Sequence, residues 1–218
     1  MKKKIGVVLS GCGVYDGSEI HEAVFTLLAI DRYGAEAVCM APNAEFPCVN
    51  HLTGQNAEGT RNALVEGARI ARGKIRDMAE VTAADIDALI FPGGFGAAKN
   101  LCDFGVKGAE AEVLPELLRL LKEVMAAKKP IGAICIAPAL LAAALGREYA
   151  PLLTIGTDEG TAAAINRTGS NHVNCPVTEF VVDEKNRIVS TPAYMLASRI
   201  SEAYEGIDKA VKKVISMA

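Results

Sequence analysis

Ile131-Gly132-Ala133-Ile134-Cys135-Ile136-Ala137-Pro138 is the stretch on which the fold turns. Ile131–Ile134 is a short apolar run that predicts a buried strand, and a helix begins with Ile136-Ala137-Pro138. Cys135 falls at the turn between them. A side chain at such a turn is pushed out at the top of a sheet, the geometry of a nucleophile elbow. The start of the helix stabilises negative charge, so this thiol is expected to be ionised more readily than a free cysteine, whose pKa is about 8.5. The competing reading is a buried structural cysteine, the usual state of a free thiol. The elbow position favours the reactive one.

Working outward, strands alternate with helices. Upstream, Lys3–Ser10 is an apolar strand ending in Gly11-Cys12-Gly13, and Ser18 can cap a helix that runs to Tyr33 and stops at Gly34. Ala37–Ala41 is a second strand. Residues 42–56 look like an irregular loop, followed by a helix over roughly Ala57–Arg72 and a short edge strand at Lys74–Met78. Ala88–Phe91 is a strongly apolar strand, broken by Pro92-Gly93-Gly94-Phe95-Gly96. Pro115 opens a helix to Lys128. Downstream, Ala137–Leu145 is helical and ends at Gly146, Leu152–Ile155 is a strand, and Thr157 or Asp158 caps a helix to about Arg167. Thr178–Asp183 and Arg187–Thr191 read as a hairpin, and Tyr194–Ser216 as a helix interrupted near Gly206. The pattern predicts an α/β chain, a three-layer α/β/α sandwich with a mostly parallel sheet. Ligands in such folds bind beyond the carboxyl ends of the strands. Gly11, Pro92-Gly93-Gly94 and Cys135 each follow a strand directly, so all three loops are expected on one rim.

Composition agrees. The 218 residues suit one large domain spanning 1–218; half are hydrophobic, 5% are aromatic and the formal net charge is −3. No basic stripe with interleaved aromatics points to nucleic acid. No run approaches the roughly 18 apolar residues of a membrane helix. Cys12, Cys39, Cys48, Cys102, Cys135 and Cys175 show no CxxC spacing, and reduced thiols in a cytosolic compartment are expected. Met1-Lys2-Lys3-Lys4 followed by Ile5–Leu9 imitates a signal peptide, but its apolar part is shorter than the roughly 7–15 residues required.

Two further groups belong beside Cys135. The backbone N–H groups of Gly93 and Gly94, with that of Ile136, can form an oxyanion hole, because glycine lets the backbone approach a ligand closely. Glu22 lies in an early turn of the first helix and faces the same rim, with Glu19 as its rival on the neighbouring turn. A carboxyl beside a thiolate is expected to have a raised pKa and to exchange a proton with substrate. A dinucleotide fingerprint fails, because position 16 is Asp16 and the second strand ends in Ala41-Pro42. His21, His51 and His172 lack metal-ligand spacing, so no metal site is expected. His51 and His172 are read as surface or structural histidines.

Gly132–Pro138, Phe91-Pro92-Gly93-Gly94-Phe95-Gly96-Ala97-Ala98-Lys99-Asn100-Leu101, Asn50-His51-Leu52-Thr53-Gly54, Ser190-Thr191-Pro192-Ala193-Tyr194-Met195-Leu196-Ala197 and Gly11–Glu19 together resemble the bacterial ElbB family, from first strand to last helix. ElbB proteins lie in the PfpI superfamily, with the class I glutamine amidotransferase-like (flavodoxin-like) fold. The resemblance implies a cofactor-independent, glutathione-independent glyoxalase that converts glyoxal to glycolate. It implies Cys135 as nucleophile, Glu22 as its acidic partner, Gly93, Gly94 and Ile136 as backbone donors, a small dicarbonyl as substrate, and a homodimer. Amidotransferases need a late His-x-Glu, absent here, and PfpI-type peptidases carry His where Ile136 stands. The alternatives are a redox or electrophile sensor built on the same thiol, and an interaction module that has lost its triad.

Overall fold

A computed structural model describes residues 2–218; Met1, the first residue of the basic start, lies outside them. The elements, in chain order, are β1 Lys4–Val8, α1 Ile20–Arg32, β2 Glu36–Ala41, β3 Glu45–Asn50, β4 Gln55–Asn62, α2 Ala63–Ile70, β5 Arg76–Asp77, β6 Ala88–Phe91, α3 Phe95–Lys99, α4 Phe104–Lys107, α5 Pro115–Ala126, β7 Ile131–Ile134, α6 Ala137–Tyr149, β8 Leu152–Leu153, α7 Glu159–Arg167, β9 Asn171–His172, β10 Val181–Asp183, β11 Ile188–Thr191 and α8 Ile200–Met217. The main sheet has the order β10-β11-β7-β6-β1-β2-β5. Every pairing in it is parallel except β10 with β11. This is the expected three-layer α/β/α architecture with a mostly parallel sheet.

The central strands are buried on both faces, so β6 and β7 read as apolar runs without alternation. All residues of β6, β7 and β11 are buried. Alternate strand residues serve opposite layers. Leu89, Phe91, Ile131 and Ala133 pack with Leu117, Leu120 and Leu121 of α5 and Leu140 and Leu141 of α6. Ala88, Ile90 and Ile134 pack with Ala23 and Ile30 of α1 and Ile207 and Val211 of α8. Leu117, Leu120, Leu121 and Val124 form one helical stripe, each fully or nearly fully buried, and each such side chain contributes roughly 1.5–3 kcal/mol of gross burial energy. The margins are brief: β5 has two residues and β10 three.

Several expectations need correction. The loop expected over 42–56 is the hairpin β3–β4, antiparallel, and β4 extends through residues assigned to a helix. The helix begins only at Ala63, where Asn62 Oδ1 accepts the N–H groups of Leu64 and Val65. Gln55–Arg61 are all exposed and carry no apolar alternation, so the strand has no periodic signature. Gly146 does not end α6; it lies against Thr168, where a Cβ would come within 2.5 Å of the carbonyl oxygen. Gly206 likewise sits inside an unbroken α8, against the Val177 carbonyl. Tyr194 belongs to a separate short turn, Ala193–Met195, ahead of α8. The strand at Leu152–Ile155 is reduced to Leu152–Leu153, paired with β9 outside the main sheet. The α1 cap is Glu19, while Ser18 Oγ accepts the Ser10 N–H.

Among the described residues, no helix is long and apolar enough to cross a membrane.

Candidate active site

β11, β7, β6 and β1 are adjacent and parallel, so the loops at their carboxyl ends share one rim. Three of these loops were expected there: Gly11–Ser18, Pro92–Gly94 and Cys135–Ile136. The fourth, Pro192–Tyr194, follows β11 and is paired to the elbow through the register Thr191 to Ile134.

Cys135 has φ of 62°, a left-handed conformation that costs an L-residue roughly 1–2 kcal/mol. It is held there by its N–H, which donates to the Thr191 carbonyl at 2.9 Å, and by the start of α6, for which Ile136 is the cap residue. The strand-to-helix turn is therefore a strained elbow, as anticipated. Glu22 is completely buried in the first turn of α1. Its Oε2 accepts the Gly93 N–H at 2.9 Å and its Oε1 accepts the Tyr194 N–H at 3.3 Å, and its carboxyl and Cys135 both border Gly93. Gly93, expected as an oxyanion donor, instead spends its N–H on the Glu22 carboxyl, and contacts leave no room for a side chain there. A Cβ there would stand 2.5 Å from Cys135 Cβ and 2.6 Å from Glu22 Oε2. Gly94 has φ of 94°, and a Cβ would strike Gly17 O and Glu19 N. The glycine loop is knit to its neighbours: Glu19 N–H donates to Gly93 O at 2.9 Å, and Gly96 N–H to Gly17 O at 2.9 Å.

The electrostatics follow from burial. Burial pushes Glu22 up to about 8, and the nearby charge of Glu19 adds to the rise; the hydrogen bonds from Cys135, Tyr194 and Gly93 oppose it. Burial is also the largest cause that pushes the Cys135 thiol well above its ordinary value, reinforced by the charge and hydrogen bond of Glu22; the N–H groups of Gly94 and Ile136 pull it down and lose. Near neutrality both groups keep their protons. The raised carboxyl agrees with expectation; the thiol is shifted upward, opposite to the direction expected. Only 7% of the Cys135 surface is accessible. A helix start helps an anion by about 0.3–2 kcal/mol, less than the cost of desolvating a charge beside a second acid. The other thiols do not resemble it in setting. Cys39 and Cys102 are raised to about 11 and about 12 by burial, with no carboxyl hydrogen-bonded to the sulfur. Strain and the Glu22 contact, rather than acidity, distinguish Cys135.

Glu19 is the cap and not the acid: its Oε2 accepts the Glu22 N–H at 2.7 Å. His51 Nε2 accepts the Tyr15 N–H at 3.2 Å, and His172 Nε2 accepts the Ile155 N–H at 3.2 Å, so each ring is spent on a loop backbone. Among the described residues, no three His, Cys, Asp or Glu side chains gather to hold a metal ion. Tyr194 and His21 are the residues the sequence did not single out: the Tyr194 hydroxyl and His21 Nδ1 are 2.8 Å apart beside Glu22. Tyr194 lies inside a stretch that carries the family resemblance, but a backbone N–H aimed at a carboxyl leaves no mark in a sequence.

The chain is similar to several known proteins. It is 45% identical over 99% of its length to the ES1 protein homolog, mitochondrial, of Rattus norvegicus, of which 84% is covered. It is 46% identical over 98% of its length to the glutamine amidotransferase-like class 1 domain-containing protein 3, mitochondrial, of Homo sapiens, of which 83% is covered. These names overturn the cytosolic expectation. Free thiols report a reducing surrounding, which does not single out the cytosol; all six cysteines are indeed free. A crystal structure of an isoprenoid biosynthesis protein with an amidotransferase-like domain from Ehrlichia chaffeensis superposes with a TM-score of 0.93 at 38% identity, covering 99% of both chains. Drosophila melanogaster DJ-1beta shares the fold at a TM-score of 0.57 and 19% identity, over 100% of this chain and 96% of that one. The DJ-1/PfpI family model matches residues 14–190, from the loop beneath Glu22 to the strand beside the elbow, and the chain belongs to the DJ-1/PfpI family.

Proposed function

We propose that this chain is a glutathione-independent glyoxalase of the ElbB type, which converts glyoxal, and by the same chemistry methylglyoxal, to the 2-hydroxy acid. The observation that carries this reading is the placing of a fully buried carboxyl, Glu22, and the strained Cys135 on either side of Gly93, where a Cβ would stand 2.5 Å from Cys135 Cβ and 2.6 Å from Glu22 Oε2. A neutral carboxyl can take a proton at one oxygen while giving one from the other. As sulfur adds to one aldehyde carbon, the thiol proton passes to Glu22 and the Glu22 proton passes to the carbonyl oxygen. The product is a hemithioacetal, and Glu22 is again protonated. The Gly94 and Ile136 N–H groups support negative charge that develops on oxygen. Glu22 next takes the hydrogen on that carbon as a proton while giving its own to the neighbouring carbonyl oxygen, which forms the enediol. It then gives a proton to the neighbouring carbon and takes one back from the first carbon's hydroxyl, which becomes the thioester carbonyl. One carbon is thereby oxidised to a thioester and the other reduced to an alcohol, with no outside electron carrier. Water cleaves the thioester, releasing glycolate and the thiol.

The sensor alternative uses the same thiol and needs the same access to it, so turnover separates the two: a sensor consumes one equivalent of dicarbonyl and stops. Glycolate formation from glyoxal by wild type, Cys135→Ala and Glu22→Gln, in metal-free buffer without glutathione, tests the proposal. Wild type is expected to turn over many equivalents and both variants to fall by orders of magnitude. One equivalent consumed by wild type, followed by arrest, would sink the enzymatic reading.

A further inference from the structure

We propose that Tyr194 and His21 form a clamp that positions Glu22 for the Cys135 chemistry, an inference that rests on the proposed reaction at this site. Tyr194 grips two consecutive residues of α1. Its main-chain N–H holds Glu22 Oε1, and its hydroxyl holds His21 Nδ1 at 2.8 Å. Glu22 points inward and is fully buried, whereas the His21 side chain is about half exposed, at 51%. The carboxyl is thus pinned from both sides: Gly93 N–H on Oε2, built into the glycine loop, and Tyr194 N–H on Oε1, delivered by a turn.

That turn is strained. Ala193 is fully buried with φ of 43°, a left-handed value in a residue with a Cβ. Cys135 and Ala193 therefore stand in the same unfavourable conformation at the ends of two paired strands, joined by the Cys135 N–H to Thr191 O bond. One turn presents the sulfur and the other presents the donor that holds its acid. Strain of this kind persists only where surrounding contacts over-determine it. The hydroxyl bond to His21 is the contact that fixes the far end of Tyr194. Glu19 completes the ring, lying 4.0 Å from His21 Nδ1 through Oε1 and accepting the Glu22 N–H through Oε2. The titratable groups facing His21 are Glu19 from its own helix cap and Tyr194 from the turn after β11; the ring of Phe25, 6.1 Å away, closes the side along α1. Without the clamp, the turn relaxes, the 3.3 Å bond lengthens, and the carboxyl loses alignment with the thiol. Tyr194 and His21 are positioning residues, acting through Glu22.

The test uses Tyr194→Phe, His21→Leu, the double variant and His21→Asn, which keeps a polar atom near the place of Nδ1. Glyoxal turnover is expected to fall about tenfold in Tyr194→Phe and in His21→Leu, through kcat with KM little changed. The double variant is expected to be no worse than either single one, and His21→Asn to recover most of the rate. Alkylation of Cys135 by iodoacetamide, which needs no substrate, is read against pH in parallel. Its midpoint should shift by the same amount in Tyr194→Phe and His21→Leu and stay near wild type in His21→Asn. Losses that add in the double variant, or alkylation profiles that coincide with wild type, overturn the clamp. A wild type without turnover overturns the reaction instead, and the alkylation profiles then decide the clamp alone.

Discussion

At the Cys135 elbow each group is held by a second one, while the outer strand of the β3–β4 hairpin is held mainly by its partner. Glu22 is fully buried and Cys135 nearly so, and the glycine beside them leaves no room for a methyl group. By contrast, Gln55–Arg61 of β4 are all exposed. The hairpin meets the body through β3, where Phe46 and Cys48 are buried, and through the Val49 N–H to Asp16 Oδ2 bond at 2.8 Å. Arg61 and Arg69 both approach the buried Glu66 and secure the base of β4. Both regions border the Gly11–Ser18 loop, yet only one is built to hold strain. Packing that over-determines atoms allows a reactive geometry to persist; a strand whose side chains all face solvent has no such capacity.

This contrast can be broken at several strengths. Cys135→Ala should abolish glyoxal turnover by about a thousandfold or more while leaving the melting temperature close to wild type, measured by glycolate assay and calorimetry. Gly93→Ala should also remove most activity and, unlike Cys135→Ala, lower stability by roughly 2–4 kcal/mol in denaturant titration, since the new methyl group meets Cys135 and Glu22. Glu22→Gln isolates the buried acid. Its pKa is about 8 in the fold against an ordinary 4.5, so the folded state holds a proton that the unfolded chain releases. Wild-type stability should therefore fall as pH rises from about 4.5 to about 8, by about 5 kcal/mol at most, and then level. Glu22→Gln should flatten that slope; an unchanged slope would place the titrating group elsewhere. On the hairpin side, Phe46→Ala should cost about 3 kcal/mol with turnover largely kept at a temperature where the variant is folded. Thr60→Ala, on β4, should change stability by less than about 0.5 kcal/mol. Loss of turnover in either hairpin variant would show that the hairpin serves the elbow.

The same contrast explains what could be read from the sequence. The apolar runs Ala88–Phe91 and Ile131–Ile134 are buried on both faces, so composition alone marks them, and the turns that follow carry Gly93, Gly94 and Cys135. Glu22 was found because a helix start places it on the rim. β4 was invisible because its residues alternate nothing, and Ala57, Glu58 and Arg61 suggest helix. Gly146 reads as a helix end and Gly206 as an interruption, although each lies inside a continuous helix in close packing against another segment. The protonation of Cys135 depends on burial and on a carboxyl 113 residues away in the chain, which local reading weighs poorly. Tyr194 escaped for the same reason, since its contact with Glu22 spans 172 residues.

The brevity of the sheet's margins has a consequence for storage and concentration. A foreign strand laid against two-residue β5 or three-residue β10 would find few rungs to bond, too few to offset the entropy of ordering it. Growth of the main sheet by accretion is thereby suppressed at both ends. Clumping of the native protein is left to apolar side chains on its outside, with Leu52 at 93% and Val106 at 82% exposure as the first places to add charge.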